Sequence, residues 1–128
     1  MPGKRSGVKR MSMTKEAVME KMKEKNVVVL NVLPDADYAK LHIKGSENLP
    51  LGLKAEDFVQ AAERRFGKTR FLITYCAGFT CNAGPDAAKA LKARGFEAED
   101  YPGGIKEWSD AGFPTEGTEA KQAEPAAK

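Results

Sequence analysis

Two cysteines, Cys76 and Cys81, stand five positions apart in the stretch Tyr75-Cys76-Ala77-Gly78-Phe79-Thr80-Cys81-Asn82. A thiolate is a strong nucleophile, but an ordinary thiol, with a pKa of about 8.5, is only a few per cent ionised at neutral pH. A working cysteine therefore needs surroundings that acidify it. Cys76 ends an apolar run, and a helical pattern starts just past Cys81. The loop between can curl the backbone N–H groups of Ala77, Gly78, Phe79, Thr80 and Cys81 around one point, close to the positive end of the helix. Gly78 is expected to help, because it has no Cβ and tolerates a left-handed backbone. No Lys or Arg lies between Cys76 and Asp86, so amides and the helix end alone would offset negative charge there. Two cysteines do not make a disulfide scaffold, which points to reactivity before stability. Curling the amides inward is expected to turn the Cys81 side chain away, so that Cys81 becomes a redox partner of Cys76 only if the loop opens. The single histidine, His42, cannot complete a zinc site with these cysteines, since a fourth ligand and the usual cysteine spacing are both missing.

The elements that must hold this loop follow from the pattern around it. Residues 26–32, a β-branched run whose longest apolar stretch is Val27 to Leu30, and residues 71–76 both read as strands buried on both faces. Residues 96–101 read as a third strand, and a brief strand is expected at 47–49 between Gly45 and Pro50. Thr14 suits a helix N-cap, with Glu16 in the first turn of a helix over about 15–25. A short helical turn is expected at 38–41. The clearest helix covers 54–66, where Ala55, Phe58, Val59, Ala62 and Phe66 share one face and Gly67 suits the position past the end. A helix carrying Ala87, Ala88 and Leu91 closes at Gly95, and a last short one carries Ile105 and Trp108. Gly103 and Gly104 read as a turn that needs positive φ. Strands alternating with helices predict an α/β fold with a parallel sheet, and such sheets bind ligands at the carboxyl ends of their strands. That is where Cys76 falls.

The chain of 128 residues is the size of one domain. Hydrophobic residues make up 41%, enough for a core, and no apolar run is long enough to cross a bilayer. Residues 1–25 hold eight Lys or Arg against three Glu, while the rest of the chain is slightly acidic. The basic excess thus belongs to a flexible arm over residues 1–12 and the helix after it. It is not interleaved with aromatics as nucleic-acid modules require, so no nucleic-acid partner and no membrane partner is expected. The N-terminus has no apolar signal segment, which predicts a cytoplasmic protein. From Thr115 the chain loses all periodicity, and residues 116–128 are expected to be a disordered tail.

Three blocks resemble the rhodanese-like sulfurtransferases: YCAGFTCNAG, ending a strand and opening a helix; PDADYAKLHIKGSENLPL before it; and GFEAEDYPGGIKEWSDAGFP after it. They occur in that family's order and cover about residues 13–115. The resemblance implies a sheet of about five parallel strands with helices on both faces. It implies that Cys76 is the catalytic residue, taking a sulfane sulfur from a polysulfide, persulfide or thiosulfate donor as a persulfide and passing it to a thiol, cyanide or protein acceptor. The amides of 77–81 would hold the outer sulfur, and no metal or organic cofactor is implied. It also implies that His42 is structural, since the family does not use the histidine there as a base. The six-position span from Cys76 to Cys81 is the loop length associated with sulfurtransferases. Asn31-Val32-Leu33 stands where the family usually has Asp-Val-Arg, so one customary ion pair is absent. The alternatives are a thiol-dependent arsenate reductase or phosphatase on the same fold, a dithiol redox protein built on Cys76 and Cys81, and a non-catalytic rhodanese-like binding module.

Overall fold

A computed structural model describes residues 13–52 and 54–120 of the chain. The arm at 1–12 and the residues beyond 120 lie outside the described residues. Four strands form a parallel sheet: β1 (Val27–Asn31), β3 (Glu47–Asn48), β4 (Phe71–Tyr75) and β5 (Glu97–Asp100), in the spatial order β3-β1-β4-β5. β1 and β4 lie at the centre, with Val29 opposite Ile73 and Asn31 opposite Tyr75. The α/β class is as expected, with four parallel strands where about five were anticipated.

Alternation along the strands divides the core in two. Val28, Leu30 and Leu72 face the buried side chains of Phe58, Val59, Ala62 and Phe66 from α3 (Ala55–Phe66), and of Ala87 and Leu91 from α4 (Ala83–Ala93). Val29, Ile73 and Tyr75 face Val18 of α1 (Lys15–Lys21) and Ile105 and Trp108 of α5 (Gly104–Asp110). Each Val, Leu, Ile or Phe among them contributes about 1.5–3 kcal/mol when fully buried, so helices on both faces are what hold the sheet. Cys76 points to the α3/α4 side.

Thr14 caps α1 as expected, its hydroxyl accepting from the Ala17 amide at 3.1 Å. That helix ends at Lys21, short of the expected 25, because the amides of Lys23 and Glu24 bond three residues back and tighten the chain into turns before β1. α2 (Asp35–Lys40) begins directly after Pro34, earlier than the turn expected at 38–41. Asn31 is fully buried; its Oδ1 accepts from the Leu33 amide at 2.9 Å, and Asn48 Nδ2 donates to Leu33 O at 2.9 Å. These amide contacts hold the end of β1.

A second, two-stranded antiparallel sheet pairs β2 (His42–Ile43) with β6 (Thr115–Glu116). The Thr118 and Glu119 amides go on to donate to Ala39 O and Lys40 O. The disordered tail expected from Thr115 is therefore incorrect as far as Ala120: the missing periodicity reflects pairs of only two residues, anchored through backbone groups that carry no side-chain signal. Behind β2, Tyr75 OH accepts from the Ile43 amide at 3.0 Å and lies 2.8 Å from Ser46 Oγ. Burial pushes the Tyr75 phenol up to about 12, so it acts as a neutral tie between β4 and β2.

Candidate active site

Cys76 lies just past β4, between that strand and the start of α4, and is 3% exposed. The loop that follows is pinned from below by α5. Ile105 N donates to Cys76 O at 2.9 Å, and Lys106 N to Ala77 O at 3.0 Å. Gly104 makes this approach possible. Its φ is +63°, and a Cβ there would stand 2.5 Å from Cys76 O and 2.7 Å from Gly78 N. Gly103 does not share that conformation. It has a φ of −62°, and its missing Cβ instead leaves room for the Glu107 side chain, which accepts a hydrogen bond from Tyr101 OH at 2.8 Å. The positive-φ turn expected at both glycines is thus needed at Gly104 only. Gly78 likewise is not at positive φ, and a Cβ there would meet Lys106 Cβ at an ordinary 3.5 Å.

The sulfur itself is met by an amide that the sequence did not point to. Gly84 N, in the first turn of α4, donates to Cys76 Sγ at 3.2 Å. Gly84 is where the peptide, the sulfur and a carboxyl meet: a Cβ at this position would touch Cys76 Sγ at 3.4 Å and overlap Asp100 Oδ1. The only cue in the sequence is a small residue eight positions past the cysteine. Of the expected cradle, Cys81 N is taken up by Gly78 O at 3.0 Å. The amides of Ala77, Gly78, Phe79 and Thr80 donate to no acceptor among the described residues. Phe79, at the loop tip, is 70% exposed.

Cys81 departs from expectation. Its sulfur is bonded to that of Cys76, with the two Cα atoms 6.4 Å apart. The side chain thus lies on the Cys76 side of the loop, while the Cys81 amide donates to Gly78 O. The sulfur that Gly84 N meets is therefore a disulfide sulfur. It occupies the position that a thiolate or the inner sulfur of a persulfide would take.

Two charged groups border the loop. The Lys106 stem packs beside Gly78, while its ammonium donates to Asp110 Oδ2 at 2.9 Å and is well exposed. Asp100, the last residue of β5, has its carboxyl 3.2 Å from the fully buried Thr74 hydroxyl. Burial pushes it up to about 6, against the opposing hydrogen bond from Thr74 and with some help from Glu99. His42 stands elsewhere. Its ring stacks on Tyr38, with Nδ1 2.7 Å from Tyr38 O and Nε2 3.4 Å from Glu116. That is a structural setting at the β2–β6 pair. Among the described residues no three His, Cys, Asp or Glu side chains are grouped so as to hold a metal ion, and no helix is long and apolar enough to cross a membrane.

A sulfur at the carboxyl end of a central parallel strand, met by an amide in the first turn of a helix, can be compared with known proteins. The family model described as the rhodanese-like domain matches residues 14–111. The chain belongs to the rhodanese-like domain family. Its fold is similar to that of a Bacillus halodurans protein of known structure, at a TM-score of 0.74 and 26% identity, over 84% of this chain and 77% of that one. It is also similar to the solution structure of a rhodanese-like domain from an Anabaena protein, at a TM-score of 0.72 and 26% identity, over 91% and 86% of the two chains. An HTH-type transcriptional regulator of Mycobacterium tuberculosis is 26% identical over 105 residues, which span 82% of this chain and 44% of the regulator. The chain thus spans less than half the length of that relative. This rhodanese-like domain has the α/β architecture that the three sequence blocks implied.

Proposed function

We propose that the protein is a sulfurtransferase that carries a sulfane sulfur on Cys76. The observation that supports this most is the Gly84 N–H directed at Cys76 Sγ, beside a loop in which the amides of 77–80 engage no acceptor among the described residues. An anion on Cys76 would meet an N–H donor and the positive end of α4, an 11-residue helix, both of which favour thiolate over thiol. In the reduced protein, the Cys76 thiolate attacks the outer sulfur of a polysulfide, an organic persulfide or thiosulfate. A new S–S bond forms on Cys76, and the remainder of the donor leaves with the electron pair of the old one. A thiolate or cyanide acceptor, or a cysteine of an acceptor protein, then attacks the outer sulfur and the Cys76 thiolate leaves. The amides of 77–80 can hold the negative charge of the terminal sulfur between the two steps. We place this chemistry in the cytoplasm, where small thiols are abundant.

One observation favours a second reading. The Cys76–Cys81 bond is the oxidised form of a dithiol redox protein. In the sulfurtransferase reading the same bond is a closed state that two equivalents of thiol must open, giving two protein thiols and one small-molecule disulfide. The two readings part on Cys81. With reductant present, Cys76→Ser should abolish transfer from polysulfide to a thiol, while Cys81→Ser should retain it. Equal loss in both variants would favour the dithiol redox protein.

A further inference from the structure

Asp100 is a second ionisable group at the Cys76 sulfur, and sulfur transfer as described above makes no use of it. Three contacts link the two. Asp100 Oδ1 lies 3.2 Å from Thr74 Oγ1, Thr74 Oγ1 lies 2.8 Å from Gly84 O, and Gly84 N lies 3.2 Å from Cys76 Sγ. A third acceptor for the threonine, Glu99 O at 3.5 Å, is the most distant. Thr74 is fully buried on β4, so its hydroxyl has no water to turn to.

A hydroxyl carries one hydrogen, and an ionised carboxylate can only accept. Two arrangements follow. When Asp100 is neutral, its O–H donates to Thr74 Oγ1, and Thr74 is free to donate to Gly84 O. When Asp100 is ionised, it draws the Thr74 hydrogen to itself and Gly84 O loses that donor. Gly84 carries both contacts, its N–H to the sulfur and its C=O to Thr74, on the two peptide groups that its Cα joins. We propose that Asp100 is a positioning residue for Cys76: its proton decides, through the single hydrogen of Thr74, whether Gly84 is held at its carbonyl with its N–H against the sulfur.

Ionised Asp100 opposes a Cys76 thiolate twice, by releasing the anchor and by placing like charge beside it. Neutral Asp100 does neither. Because burial raises this carboxyl to about 6, the exchange falls in a range that a cell visits. The charged groups around it leave its negative charge unmatched. Glu99 on β5 adds repulsion and is itself paired with Lys92 of α4 at 3.6 Å. The first turn of α4 carries another acid, Asp86. At the start of α1, Lys15 pairs with Glu16 at 3.4 Å and Glu107 at 3.9 Å, while Met13 contributes only its amide, to Asp100 O. None of the ion pairs among the described residues includes Asp100.

This rests on Cys76 being the reactive sulfur, though not on sulfur being its cargo. The test uses reduced full-length Cys81→Ser protein and the rate of Cys76 alkylation by iodoacetamide between pH 4.5 and 9.5, read by intact mass. For a lone thiol the rate rises tenfold per pH unit below its pKa. A neighbour whose ionisation raises that pKa flattens the rise across its own titration. The expected profile flattens near pH 6 and resumes above. Adding Asp100→Asn, whose amide can donate to Thr74 permanently, should straighten the profile and speed alkylation at pH 7.5 by about three-fold or more, half a pKa unit of thiol acidification. Superimposable profiles would overturn the proposal. A measurement without substitution at Asp100 runs in parallel: its carboxyl carbon, followed by NMR, should show a second inflection at the Cys76 titration that vanishes once Cys76 is alkylated. A carboxyl indifferent to Cys76 would overturn the proposal as well. Normal alkylation without sulfur transfer would refute only the sulfurtransferase reading, whereas a Cys76 that never alkylates would refute both.

Discussion

Gly104→Ala should cost the fold several kcal/mol although it adds one methyl group. At φ +63° an L-residue carries a left-handed penalty of about 1–2 kcal/mol. The added Cβ would also stand 2.5 Å from Cys76 O, 2.7 Å from Gly78 N and 2.8 Å from Ala77 C. All three are backbone atoms, so none can swing aside as the end of a long side chain would. The loop must retreat, which breaks the bonds from Ile105 N to Cys76 O and from Lys106 N to Ala77 O. At about 0.5–1.5 kcal/mol for each bond, the total is roughly 2–5 kcal/mol. Natural domains have only about 5–15 kcal/mol of stability, so the loss is easily read as a lower urea midpoint at constant slope. Gly78→Ala is the matched control in the same loop. Its Cβ would meet its nearest neighbours at 3.5 and 3.6 Å, outside the left-handed region, and should change stability by less than about 1 kcal/mol. If Gly104→Ala were no worse than Gly78→Ala, the seating of the cysteine loop on α5 would be wrong.

Three further outcomes follow from the site. Turnover of the parent protein with polysulfide should depend on added reductant, because the Cys76–Cys81 bond must first open, whereas Cys81→Ser should turn over without it; a parent indifferent to reductant would exclude the disulfide as a closed state. Thiosulfate should be a donor at least about ten-fold poorer in kcat/KM than polysulfide, about 1.4 kcal/mol in the transition state, because the loop offers a dianion no cation and the Lys106 ammonium is held by Asp110; comparable donors would mean that Lys106 swings over the site, and Lys106→Ala would then restore the difference. The Asp100 carboxyl is raised in the folded state, so the native protein binds the extra proton and loses stability as pH climbs from about 4 to about 6. Asp100→Asn removes that loss and should gain about 1–2 kcal/mol on the parent between urea titrations at pH 4 and pH 7.5, after allowance for solvent screening of a part-exposed group; an equal difference at both pH values would count against the shift.

The parts of the molecule legible in the sequence are those with long patterns. Val27–Asn31 and Phe71–Tyr75 read as central strands because both their faces are apolar, and the α3 face was visible in Phe58, Val59, Ala62 and Phe66. The position of Cys76 at a strand end followed from those two features. The β2–β6 pair was invisible because two residues cannot show a period, and His42 and Glu116 meet through the backbone ladder. Gly84, Thr74 and Asp100 were missed for another reason. They lie on α4, β4 and β5, and converge on the sulfur only when the register of β4 on β5 sets Thr74 opposite Asp100. The side of the loop that Cys81 takes is not legible in the sequence, because a loop curled around an anion implies every amide inward, whereas the Cys81 amide bonds Gly78 O.

The central claim is that Cys76 takes up a sulfur atom, and intact mass tests it most directly. The protein is reduced, freed of reductant and exposed to polysulfide, and its mass is then measured before and after an acceptor thiol is added. The account predicts a gain of about 32 Da, located on Cys76 and discharged by the acceptor. A protein that gains no sulfur and instead returns to the Cys76–Cys81 disulfide, about 2 Da lighter than the reduced chain, would contradict it.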